Sequence, residues 1–215
     1  ITRIHTRLHR LFRRLRLPLG RYVSAITSAE DLQLVVLSIL QPVLPHPPVS
    51  HIVTFYLSAL SQANTVLLDG ANHRPQYSLR TLCRALTYVA DALSAYGLER
   101  SLWDGFHLTF VTQLQQQSQA VVEALMLKHL MLHDGLCGAD TRVPATVAPP
   151  RPPEGSWAQY GGFWIAADIR NPVVDDPHYI ATPTVQKRLA RMARMVAARR
   201  FPILLQGPTS AGKTS

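Results

Sequence analysis

Ser78-Leu-Arg-Thr-Leu-Cys-Arg-Ala-Leu-Thr-Tyr-Val-Ala-Asp-Ala-Leu93 reads as an amphipathic helix. Leu79, Leu82, Cys83, Leu86, Val89, Ala90 and Leu93 recur at helical spacing and form one apolar stripe. Arg80, Arg84, Thr87 and Asp91 fall on another face. Such a stripe must be covered, and the flanking sequence supplies helices to cover it. Upstream, Ser28-Ala-Glu-Asp31 is a capping-box-like start with acids where the helix dipole favours them. Leu32, Val35, Val36, Ile39 and Leu40 follow, and Pro42, Pro45, Pro47 and Pro48 stop that helix. A second apolar helix is expected from about Ser50 to Leu68, closed by the turn signal Asp69-Gly70. Downstream, Gly97 introduces a fourth helix carrying Leu98, Leu102, Phe106, Phe110 and Leu114. A fifth is expected over Gln119–His133, ended by Gly135. Helices joined by short connections predict a compact, mainly α domain.

The character changes after this domain. Pro144, Pro149, Pro150, Pro152 and Pro153 make residues 141–155 a stiff, extended linker. Trp157–Ile169 is aromatic and β-branched with a Gly-Gly break, as expected of a hairpin or short strand. Thr182-Pro183 opens another helix, with Thr as N-cap and Pro at the first helical position. Val185, Leu189, Met192 and Val196 are its expected buried face, and Arg188, Arg191 and Arg194 lie elsewhere. Phe201–Gln206 is an apolar run of buried-strand type.

That run leads directly into Gly207-Pro208-Thr209-Ser210-Ala211-Gly212-Lys213-Thr214-Ser215, which satisfies the P-loop pattern G-x-x-x-x-G-K-[ST]. Its glycines let successive N–H groups converge on phosphates. Lys213 is placed to reach the β- and γ-phosphates of ATP, and the Thr214 hydroxyl to coordinate Mg2+ through the bound nucleotide. The chain starts without Met and stops at Ser215, within this motif, and is read as an internal piece of a longer protein. Taken alone, it is expected neither to hydrolyse ATP nor to bind it tightly.

The segment Arg200–Ser215 resembles the P-loop region of the midasin family of dynein-related AAA+ ATPases. Tyr77-Ser-Leu-Arg-Thr-Leu-Cys-Arg-Ala-Leu86, Leu102-Trp-Asp-Gly-Phe106 and Asp176-Pro-His-Tyr-Ile-Ala-Thr-Pro183 fit the same family, in the order expected where one AAA+ module meets the next. The resemblance implies a helical lid of one module over residues 22–140. It implies an inter-module linker over 141–177, and the start of the next α/β P-loop core, cut short, over 178–215. It also implies an ATPase with six modules in a ring. That ATPase works in the nucleus (nucleolus and nucleoplasm) on pre-ribosomal large-subunit particles and releases assembly factors. Its partners are then neighbouring AAA+ modules of the same chain and those particles. Any RNA contact is indirect and there is no membrane. Arg80 matches a lid arginine that often senses the γ-phosphate of its own module; by composition alone it is a solvated arginine. Tyr179 and Ile180 lie where an incoming chain often packs on adenine. The Arg-rich run at residues 1–21 departs from the family, and no role is built on it.

The net charge of +9 looks at first like a nucleic-acid signal. Its placement argues otherwise. Residues 1–29 hold seven arginines and no acid, and residues 187–200 hold six basic residues and no acid. The rest of the chain is mildly acidic. An RNA-contacting arm and a non-catalytic helical scaffold with a vestigial P-loop are the rival functions. Two cysteines, Cys83 and Cys137, exclude a secreted disulfide framework. His129, His133 and Cys137 have a spacing that could put metal ligands on one face, but the zincin pattern fails at Leu130 and Gly135 should break the helix. No nucleophile elbow occurs.

Overall fold

The computed structural model describes residues 28–130, 151–152, 154–167, 180, 182–198, 200 and 202–205. Helix α1, Ala29–Leu40, starts where Ser28 Oγ accepts a hydrogen bond from Asp31 N–H at 3.3 Å, and it buries Leu32, Val36 and Leu40. Helix α2, Val49–Thr65, follows the proline segment and buries Ile52, Val53, Phe55, Tyr56, Ala59 and Ala63. It ends three residues before the expected Leu68, for a tertiary reason. Leu68 N–H donates to Ser118 Oγ at 2.9 Å, Leu68 O accepts from Gln115 N–H at 3.0 Å, and Gly70 N–H donates to Gln113 O at 3.0 Å. Pairing with a distant segment thus replaces the last helical turn. The turn beyond it forms as expected: the Asp69 carboxylate accepts from the N–H groups of Ala71 and His73, each at 2.8 Å.

Helix α3, Leu79–Tyr96, starts as expected at Ser78, whose N–H donates to Thr81 Oγ1 at 3.1 Å. Its buried face is shifted from the expected stripe: Leu82, Leu86 and Val89 are buried, Ala85 and Tyr88 join them, and Leu79, Cys83, Ala90 and Leu93 are half-buried. Gly97, at φ 75°, turns the chain into α4, Leu98–Phe106. The expected continuous fourth helix then widens into a π-helical turn, His107–Val111, with Thr112 N–H reaching His107 O at 3.2 Å. The wider turn buries His107, Leu108, Phe110 and Val111 together. Helix α5, Gln116–His129, begins three residues earlier than expected.

These helices enclose an aromatic centre. Phe55 meets Phe106 and Phe110 edge-on at 5.2 and 5.3 Å, and Phe106 stacks on Phe110 at 5.7 Å. Tyr77 adds a ring against Phe110, and its hydroxyl donates to Phe110 O at 2.6 Å. That bond satisfies a polar tip that would otherwise be buried unpaired.

Strands β1, Trp157–Tyr160, and β2, Phe163–Ala166, pair antiparallel with Tyr160 opposite Phe163. Gly161 and Gly162, at φ 53° and 84°, make the two-residue turn. Helix α6, Pro183–Ala198, has the expected Thr182 cap, with Val185 N–H donating to Thr182 Oγ1 at 3.3 Å. Its buried face is not the expected one. Ala193 and Arg194 are buried, Val185, Leu189 and Met192 are half-buried, and Val196 is 40% exposed. Small residues and one charge face inward because α6 lies against the hairpin and α3 and reaches Asp104 of α4. A Cβ on Gly161 would come within 2.3 Å of Ala190 Cβ. Residues 202–205 form no strand, and Leu204 is 87% exposed. A buried strand requires ladder neighbours, and among the described residues none lies beside them.

Gly105 is where α4 crosses α3 most closely: a Cβ there would meet Ala85 O at 2.9 Å. Gly105→Ala should lower stability by about 1–3 kcal/mol in urea unfolding. Gly70→Ala, whose new Cβ would find its nearest atom at 4.0 Å, should cost much less. Equal midpoints for the two variants would show that α3 and α4 can move apart freely.

Candidate functional site

Residues 206–215, with the whole P-loop from Gly207 to Ser215, lie outside the described residues, as does Tyr179. Ile180 is 80% exposed. Arg80 sits exposed in the first turn of α3. Arg84 is exposed one turn on. His129 is at the end of α5, where its carbonyl is 3.1 Å from His51 Nδ1. His133 and Cys137 are outside the described residues. Among the described residues no group of three His, Cys, Asp or Glu could hold a metal ion, and no helix is long and apolar enough to cross a membrane. Cys83 carries a half-buried thiol whose pKa burial pushes up, which disfavours a nucleophilic thiolate.

What the structure brings together is a charged junction between α4 and α6. Asp104, 4% exposed, takes Arg100 Nε at 2.5 Å on one carboxylate oxygen and Arg194 Nη1 at 3.0 Å on the other. Arg194 Nη1 also reaches Asp104 O at 3.3 Å. Burial lowers the pKa of Arg194, and the Asp104 carboxylate works in the opposite direction. Phe163 of β2 lies under the Arg100 guanidinium at 5.4 Å and packs against Tyr96 at 5.5 Å, so the hairpin closes the junction from a third side. Around its rim, Arg200 pairs with Asp91 at 2.7 Å, both about half exposed, and Arg191 Nη2 donates to Gln119 Oε1 at 3.4 Å. A cleft of about 620 Å³ opens beside the junction, lined by Tyr88, Tyr96, Phe163, Ala197, Asp91 and Arg200.

His107 extends the network toward α5. Its Nε2 lies 3.1 Å from Glu123 Oε1, and its ring is 5.9 Å from that of Trp103. Burial is the main influence lowering the His107 pKa, with Arg194 and Arg191 helping, while Glu123 opposes it. The imidazole is therefore neutral near pH 7, donating from Nε2 to a carboxylate whose own pKa that bond holds down. Nδ1 is buried without a hydrogen-bond partner among the described residues, as befits an unprotonated nitrogen with no donor in reach.

The sequence offered partial signals for this junction. Arg100 and Asp104 are an i, i+4 pair of opposite charge, and Asp104 lies in the Leu102–Phe106 stretch. Nothing local linked them to Arg194, ninety residues away.

Two predictions follow from burial. Arg194→Ala should cost about 1–3 kcal/mol, because it removes a buried charge-assisted hydrogen bond while Arg100 still pairs with Asp104. Arg200→Ala, at a half-exposed pair, should cost under about 1 kcal/mol; similar urea midpoints for both would refute the distinction. The second concerns pH. A lowered His107 pKa means the unfolded chain binds a proton that the folded state resists, so this stability is full above about pH 6.5 and declines as pH falls below it. Glu123 adds a loss deeper in acid, as pH falls through its folded value. Urea midpoints should therefore drop between about pH 7.5 and 5.5, and His107→Phe should flatten that drop.

A family model described as the midasin AAA lid domain matches residues 31–133, the stretch that holds α1 to α5. A midasin from Dictyostelium discoideum is 36% identical over 199 residues, which cover 90% of this chain and 3% of that protein. A midasin from Giardia intestinalis is 30% identical over 175 residues, covering 72% of this chain and 4% of that protein. The chain thus spans only a few per cent of the length of these relatives. No solved structure matches it. The helical domain of α1 to α5 is a midasin AAA lid, and the chain belongs to the midasin family of AAA+ ATPases.

Proposed function

We propose that this chain joins the lid of one AAA+ module to the nucleotide-binding core of the next, in an ATPase that remodels pre-ribosomal large-subunit particles. The observation that carries the proposal is the complete P-loop pattern at Gly207–Thr214, placed after a midasin AAA lid. Lys213 would hold the β- and γ-phosphates, and Thr214 the nucleotide's Mg2+. Backbone N–H groups from Gly207 to Ser215 would cradle the phosphate oxygens. Arg80 would act in the other direction, reporting the γ-phosphate bound to the lid's own module. Its exposure at the start of α3 is compatible with reaching a neighbouring ligand. Release of assembly factors in the nucleus would be the work done.

An RNA-contacting arm fits less well. Of the α6 arginines it would need, Arg194 is buried against Asp104 and Arg191 reaches Gln119, which leaves Lys187 and Arg188 exposed. A purely structural scaffold gives no reason for the glycine-rich loop with Lys213 and Thr214.

In the full-length protein, Lys213→Ala should abolish Mg2+-dependent nucleotide binding at this module and ATP-dependent release of assembly factors from purified pre-ribosomal particles. Unchanged release would make the site vestigial and favour the scaffold.

A further inference from the structure

We propose that Asp104 is a positioning residue for the following nucleotide site: through Arg194 it fixes α6, the helix that precedes the P-loop in the sequence, in one rotation and register against the lid. The proposal rests on the reading of Gly207–Thr214 as an ATP site, and it adds a residue of the lid to that site's requirements.

Three independent constraints converge on α6. The first is charge. Arg194, Arg100 and Asp104 are each less than a tenth exposed, so a rotation of α6 that removed Arg194 would break a buried charge-assisted hydrogen bond and leave one carboxylate oxygen of Asp104 without its arginine. Each carboxylate oxygen of Asp104 already has its own arginine. Arg100 therefore holds the carboxylate in place from within α4 and leaves the other oxygen aimed at α6. The second is steric. Gly161 sits so close to Ala190 that a side chain at the glycine, or a larger residue at position 190, would force the hairpin and α6 apart. Ala190 and Arg194 are one helical turn apart, so both contacts specify the same face. The third is the hairpin itself: Phe163 lies on Arg100 and links the steric contact to the charged one. The remaining polar contacts of α6 and its C-terminal flank are weaker constraints. Arg191–Gln119 is long, and Arg200–Asp91 is half exposed.

Arg194→Met is the informative variant, because it leaves Arg100 paired with Asp104 and so keeps the lid's own charge balanced. Hydrogen–deuterium exchange on the full-length protein should then show amides of residues 183–198 exchanging about tenfold faster or more, with α1 and α2 unchanged. Asp104→Asn should speed exchange in α6 and also in α4, where Arg100 loses its carboxylate, and Arg200→Ala should do neither. Unchanged exchange in α6, or an equal rise throughout the lid, would overturn the proposal. A second measurement reads the nucleotide site in the full-length protein. An acyl-phosphate derivative of ATP acylates a P-loop lysine, and the ATP concentration that half-blocks labelling of Lys213 reports affinity there. In Arg194→Met that concentration should rise about tenfold, a loss of about 1.4 kcal/mol, with Arg194→Lys recovering part of it. ATP-protected labelling that is the same in wild type and Arg194→Met would overturn the positioning role. Labelling of wild-type Lys213 that ATP fails to block would instead sink the P-loop reading, and the exchange result would then decide the docking alone.

Discussion

A carboxylate buried between two guanidinium groups organises this molecule. Asp104 is nearly inaccessible, and so are the arginines on either side of it. Charges in such a place cost several kcal/mol each to desolvate, and only close, well-directed partners offset that. The arrangement is accordingly strict. Arg100 comes from the same helix, one turn away, and Arg194 comes from α6. Together they leave one favourable placement for α6 on the lid. Hydrophobic contacts alone would define that placement less sharply, because α6 presents alanines rather than large apolar side chains at its inner face.

The lid supports this junction by being rigid just behind it. Phe55, Phe106 and Phe110 lock α2 to α4 and its π-helical turn, and Gly105 lets α4 approach the backbone of α3 closely. The π-helical turn has a second consequence. It places His107 inside, next to Glu123 and near Arg191 and Arg194, so the histidine is kept neutral among positive neighbours. Core packing, the buried charges and the position of α6 therefore form one connected system. A disturbance of α6 would be felt first at Asp104 and His107, and much later in the aromatic centre.

Much of the lid was legible in order of residues. The start of α3, the caps at Ser28 and Thr182 and the glycine turn of the hairpin depend on neighbours within a few positions, and all are found where the pattern put them. The helix ends and inner faces were less legible. Residues 66–68 leave α2 because Gln115 and Ser118 offer them other hydrogen bonds. Met192 and Val196 lose the inner face of α6 to Ala193 and Arg194, because the surface opposite is a glycine turn and a carboxylate. Apolar periodicity reports which residues prefer burial and carries no information on what they will face.

The sequence by itself determined the helices within residues 29–129, the hairpin turn and the P-loop pattern at Gly207–Thr214, since each follows from local spacing and residue chemistry. Tertiary structure alone decided that Arg194 is a buried structural charge rather than a solvated one. The reason is distance along the chain: Asp104 and Arg194 are ninety residues apart, and the value of burying either depends wholly on the other being there.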